Sequence, residues 1–264
     1  MTVVDTTPPP PLPVRDSAGA HERVRGILSP MLTRLADERA TGVLVREHGT
    51  LHLAEGRVVH AESPLAPGLD VVLTAHGTLD AGTWRAAEDS ADGSRLLGHG
   101  VTPGALELAQ ASALYDAAYF ALAPSSTPGR FRYGTAHWLA AVHPVPVAGL
   151  ERETLRRRAL LRRIWPDPAT DAAPLIRADP LAAPAVPPRQ AAVLARVDGV
   201  RRATDIAREL GRPAFHTLVH IRRLAAAGLV SPQAPPAEDH PPPPDAADPY
   251  IALLKRVRDA LEAL

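Results

Sequence analysis

The 264 residues contain no cysteine and no asparagine, and Lys255 is their only lysine. Without cysteine there is neither a disulfide nor a thiolate, so secretion has no support and cysteine chemistry is excluded. Lysine scarcity makes the basic charge almost wholly arginine. With abundant Ala and Pro, this usage is expected of a GC-rich bacterial genome, such as that of an actinobacterium. No run of apolar residues approaches a membrane span, and the first residues lack the apolar core of a signal peptide. A cytoplasmic protein with no membrane partner is expected. The formal net charge is zero, so any affinity for nucleic acid must come from local asymmetry rather than from the whole chain.

Catalytic signatures are missing as well. Gly98-His99-Gly100 is not followed by the Gly, Lys and Ser or Thr of a phosphate-binding loop. The serines occupy no nucleophile elbow, and no carboxylate pair stands apart from surface acids such as Glu88-Asp89. His216 and His220 have the i, i+4 spacing of a metal clamp, but no third ligand is near in sequence. The pairs His48 with His52 and His137 with His143 have no companion motif. The expectation is a protein that is not an enzyme and holds neither cofactor nor metal.

What is present falls into six segments. Residues 1–19 are a Pro-rich arm without periodicity, in which Pro10-Pro11-Leu12-Pro13 has polyproline character. Residues 20–165 carry a helical stripe (Val24, Ile27, Leu28, Met31, Leu32, Leu35) and then three short strands. Val43 and Val45, Leu51 and Leu53, and Val58-Val59 supply their apolar positions, with turns at His48-Gly49 and Glu55-Gly56. Val43, Val45, Leu51, Leu53 and Val59 are expected to face the core. A short element between Pro67 and Leu79, a helix pair from Leu96 to Ala123 and a strand at Arg130–Tyr133 follow. Gly149–Trp165 is a helix rich in arginine, read as an exposed helix or as an extra phosphate contact. Helices packed on a small antiparallel sheet make the fold class α+β.

Residues 166–187 are a linker rich in Pro and Ala, with Leu175 and Ile176 as anchors. Residues 188–232 read as three helices: Ala192, Val193 and Val197 mark the first, Ile206 and Leu210 the second. Leu218, Ile221, Leu224 and Ala225 share one face of the third. Gly211 closes the second helix and Pro213 suits the first turn of the third. This is a helix-turn-helix pattern, expected to fold by itself. If Leu218, Ile221 and Ala225 point inward, His216, Thr217, His220 and Arg223 point outward, with Arg201, Arg202, Arg212, Arg208 and Arg222 adding positive charge. Such a face suits double-stranded DNA. Arg212, His216, Thr217 and His220 stand where bases are read, and Arg201, Arg202 and Arg223 where phosphates are held. So small a module would bind weakly alone, and a homodimer or protein partner is expected to supplement it. Residues 233–248 form a second Pro-rich linker. Residues 249–264 are an amphipathic helix whose stripe of Ile251, Leu254, Val257 and Leu261 would dock on a protein partner.

Two resemblances follow from these motifs. The order GVLV, then LHLAEGRVVHA, is similar to the PATAN-type family, also catalogued as a domain of unknown function. Gly56, Arg57, Val59 and Ala61 match its pattern, Leu53 replaces its usual aromatic, and Gly129-Arg130-Phe131-Arg132-Tyr133 matches its later strand. This resemblance covers about Ala20 to Trp165 and implies an interaction or signal-input domain. The stretch TDIARELG…HIRRLAAAGLV resembles the winged helix-turn-helix modules of bacterial transcriptional regulators. The wing itself is expected to be vestigial, because Ser231-Pro232 leads directly into proline-rich sequence. Together they imply a DNA-binding regulator with an input domain. The alternative is a signalling adaptor whose winged helix binds protein instead.

Overall fold

The turn Glu55-Gly56 organises the first half of the chain. Both residues have positive φ, 50° and 76°, the geometry of a two-residue type I′ hairpin. It joins β2 (Gly49–Ala54) to β3 (Arg57–Glu62), and β1 (Gly42–Arg46) pairs with the other edge of β2. Glycine is needed at position 56 for a second reason: a Cβ there would lie 2.5 Å from the carbonyl oxygen of Ala36. β4 (Arg130–Tyr133) adds to β1 and β5 (Val145–Pro146) to β3, giving a five-stranded antiparallel sheet in the order β4-β1-β2-β3-β5. The computed structural model describes residues 28–75, 77–98, 100–178, 185–233 and 249–262. The expected N-terminal arm, the stripe positions Val24 and Ile27, and most of the second Pro-rich linker lie outside them.

The expected meander is present, but the phase of β1 is the reverse of the expectation. Leu44 is fully buried and Val45 is 37% exposed. Leu44 stands opposite Leu51 in the β1–β2 ladder, and both side chains share the core face with Leu53. A run of three apolar residues in a strand leaves the phase undetermined locally. Pairing decides it: Leu44 stands opposite Leu51 on one side and Phe131 on the other, and so joins their face.

Helices cover this sheet. In α1 (Pro30–Asp37) the Ser29 hydroxyl accepts from the Leu32 amide and Pro30 occupies the first turn, so the helix starts where its orphan N–H groups are satisfied. The expected helix pair is α4 (Ser94–Leu97) and α5 (Pro103–Ala121). The small residues of α5 let it pack on both sides. Leu106 and Ala113 join a satellite core with Leu69 and Leu73 of α2 (Leu69–Thr74) and Ala87 of α3 (Ala81–Asp89), while Leu114, Ala117 and Ala118 join the main core. The arginine-rich helix is α6 (Val147–Ile164). Arg157 donates to the Tyr115 carbonyl and Glu153, and Arg158 to the Leu122 carbonyl, so these arginines fasten α6 to α5.

The second half contains α7 (Ala169–Ala172), β6 (Leu175–Arg177), α8 (Pro188–Leu194), α9 (Ala203–Glu209), α10 (Ala214–Ala226) and β7 (Val230–Pro232). The segment expected to be a plain linker therefore carries structure. β6 pairs antiparallel with β7, and Leu175 also exchanges backbone bonds with Gly199 and Arg201. The short strand after the third helix thus takes its partner from ahead of the three helices, a pairing no local signal announces. Leu175 is fully buried, whereas Ile176 is exposed. Arg222, expected at the surface, is 4% exposed. Its guanidinium forms a fork with the Asp171 carboxylate at 2.8 and 2.6 Å and also donates to the Trp165 carbonyl.

One contiguous core runs through both halves, including Leu114 and Ala118 of α5, Leu161 of α6, and Leu218 and Ile221 of α10. α11 (Pro249–Glu262) is helical as expected, with Leu254 and Leu261 exposed. The side chains of Ile251 and Val257 lie outside the described residues. No described helix is long and apolar enough to cross a membrane.

Candidate anion-binding cleft and a histidine cluster

α10 is held at its start by an acid from the first half. The carboxylate of Asp116, on α5 and 1% exposed, accepts from the amides of Ala214 and Phe215 at 2.6 and 2.7 Å. Those amides are first-turn donors with no partner inside the helix, and a carboxylate there also opposes the positive end of the helix dipole. Arg157 approaches to 4.0 Å of the carboxylate and lies 4.6 Å from the Phe215 ring centroid. Burial nevertheless raises the Asp116 pKa to about 6, against the two amides and Arg157.

This docking decides which of the expected DNA-binding side chains reach solvent. His216 and Arg223 are exposed, while Arg212 and His220 are half-buried. His216, His220 and Arg223 follow one another at helical spacing, and with Arg189 of α8, Arg212 and Pro213 they line a cleft of about 480 Å³. No carboxylate lines it. Among the described residues, Arg189, Arg212 and Arg223 make no ion pair. Arg212 Nη1 and His220 Nδ1 are buried without a hydrogen-bond partner. Burial first, then neighbouring arginines, lowers the pKa of both His216 and His220. At neutral pH the positive charge of the cleft therefore resides on its arginines.

Three of the expected contacts are not available. Thr217 borders the cleft, but it is 1% exposed and its hydroxyl turns back to the Pro213 carbonyl. The expected two-sided helix is in fact enclosed by α6, α8 and α9, which buries a wider arc than a single apolar stripe. Arg201 is committed to Asp198 at 3.0 Å and Glu209 at 3.2 Å. Arg202 is exposed at the start of α9 and is not part of the cleft lining.

A second cluster lies on the sheet. His52 and His60 are direct partners in the β2–β3 ladder, so their side chains share a face, and Glu62 follows two residues later on that face. His137 reaches them from the loop after β4. Its ring stacks on His60 with centroids 4.2 Å apart and planes 9° from parallel, and lies 4.8 Å from that of His52. Glu62 Oε1 is 3.3 Å from His60 Nε2 and 3.9 Å from His52 Nε2. The His60 hydrogen bond, followed by the charges of the other imidazoles, holds the Glu62 pKa down at about 2 despite burial. Burial first, then the other two histidines, drives His137 to about 3.

The cluster opens into a pocket of about 240 Å³ rimmed by Asp70, Glu88, Trp84 and Trp138. Pairing histidines by sequence distance, His48 with His52 and His137 with His143, missed this arrangement. The usable signal was the hairpin. A two-residue turn at Glu55-Gly56 sets β2 against β3, but a one-residue register shift between His52 and Leu53 is what brings His52 opposite His60, and that shift, like His137, required the fold. No protein-family model matches the chain, and no curated protein or solved structure matches it either.

Proposed function

We propose that this chain is a non-enzymatic regulatory protein of the bacterial cytoplasm that binds double-stranded DNA through the α10 cleft. The observation that carries this reading is a set of three arginines and two histidines around one open cleft with no carboxylate in its lining. Cations without internal partners are free to neutralise phosphates and release counterions. Because Thr217 is buried and the first amides of α10 are taken by Asp116, contact is dominated by the backbone. Base reading is left to Arg212, whose guanidinium suits guanine, and to His216 and His220. The sheet half serves as the input domain, and α11 presents Leu254 and Leu261 to a protein partner or a second copy.

One observation favours the adaptor as a second reading. A recognition helix enters the major groove with its N-terminal residues foremost, and here that end is seated on α5. A salt titration of duplex binding separates the two. Wild type should bind genomic DNA at low salt. Arg223→Glu should weaken all duplexes alike and reduce the salt slope by about 1. Arg212→Ala should in addition change sequence preference. A wild-type protein without affinity for duplex DNA even at low salt overturns the DNA reading and leaves the adaptor.

A further inference from the structure

We propose that His60, Glu62 and His137, joined by His52, form a binding site for one divalent transition-metal ion of the zinc type. The donor set is the first argument. Imidazole nitrogens with a carboxylate are the ligands of thiol-free zinc sites, and four of them complete a tetrahedron. The geometry is the second. Zinc–ligand bonds of about 2.0–2.1 Å place tetrahedral donors roughly 3.3 Å apart. The contact from Glu62 Oε1 to His60 Nε2 is 3.3 Å, and donor atoms of His60, Glu62 and His137 all lie within 4.8 Å of one another. The His137 Nδ1 accepts from the Leu139 amide at 3.2 Å, which leaves Nε2 as its metal donor, and a shift of the ring out of its stack on His60 closes the remaining gap. His60, Glu62 and His52 need little rearrangement, because adjacent strands already fix them on one face.

The surroundings supply the third argument. Gln110 of α5 is fully buried, and its amide nitrogen donates to the Val59 carbonyl at 2.7 Å and faces His60 Nδ1 at 3.4 Å. Its Oε1 is buried without a partner. Gln110 thus holds the His60 ring on its Nδ1 side, away from Glu62, and sets the direction in which Nε2 points. Asp70 and Glu88 at the pocket rim place negative charge along the entry path. With four protein donors the ion is held rather than offered to a substrate. It would tie β2 and β3 to the 134–144 loop.

The test is calorimetric titration of tag-free, full-length protein with Zn²⁺, alongside Co²⁺ absorption as a report of tetrahedral nitrogen and oxygen ligation. One equivalent should bind. His137→Ala and Glu62→Gln should each weaken binding at least tenfold, and Gln110→Leu should weaken it by about 10–100-fold, the range seen for outer-shell partners. The double variant His216→Ala, His220→Ala should leave binding unchanged. His137→Ala alters a loop residue, so it keeps the test valid if a strand variant fails to fold. No zinc binding by wild type at micromolar concentration, or binding that survives His137→Ala and disappears with the His216, His220 pair, overturns the proposal.

Discussion

Replacing Asp116 by asparagine tests the joint between the two halves, and the outcome depends on pH in a defined direction. The Asp116 carboxyl has its pKa raised by burial from 3.8 to about 6. Between those values the folded protein binds a proton that the unfolded chain has already released. Stability therefore falls as pH rises through this window, and above about pH 6 the full deficit remains. A shift of about 2 units corresponds to roughly 3 kcal/mol. For a domain of this size that amounts to about 6–12 °C in Tm. Asparagine keeps the shape and one acceptor for the Ala214 and Phe215 amides but cannot ionise. The difference in unfolding free energy between variant and wild type should thus move by roughly 3 kcal/mol in the variant's favour from about pH 4 to pH 7. Denaturant unfolding at several pH values measures it, and subtracting the two curves removes groups such as Glu62 that titrate in both proteins. Parallel curves would refute the reasoning. A difference that moves the other way would show that the helix end and Arg157 outweigh desolvation.

Two further outcomes concern packing. Leu44→Ser should cost about 3–5 kcal/mol, since the fully buried side chain leaves a cavity, whereas the exposed Val45→Ser should stay within about 1 kcal/mol; thermal unfolding that ranks them in the opposite order would restore the phase expected from sequence, with Val43 and Val45 inward. The excised segment 188–232 should not fold. It loses the β6 partner of β7, the Asp116 carboxylate on the first amides of α10 and the apolar cover that α5 and α6 give Leu218 and Ile221, when so short a module commands only about 2–7 kcal/mol in total. A cooperative melt by circular dichroism would show that it is autonomous.

What the sequence disclosed was what local rules control. The hairpin at Glu55-Gly56, the helix that follows Pro213, and the stripe Leu218, Ile221 and Leu224 are each set within a few residues, and each is present. Features set by distant segments were not legible. β6 has only three residues in proline-rich sequence, and its partner lies more than fifty positions away. Arg222 and Thr217 border the apolar stripe at four-residue spacing from Leu218 and Ile221, so it was their polar chemistry that read as surface, and the packing of α6 and α7 around α10 encloses them. The basic cleft was half legible. The arginine and histidine spacing on α10 pointed to it, but Arg189 and the exclusion of Arg201 required the fold.

α5 also has a mechanical meaning. Gln110, against His60, and Asp116, against the start of α10, are six residues apart on the same helix. At 1.5 Å per residue that is about 9 Å along its axis. Both side chains are almost completely enclosed, so neither can slip against its neighbours without the other being carried along. A rigid shift of α5 along its axis would therefore carry the contact beside the histidine pocket and the contact at the start of α10 together, by the same distance.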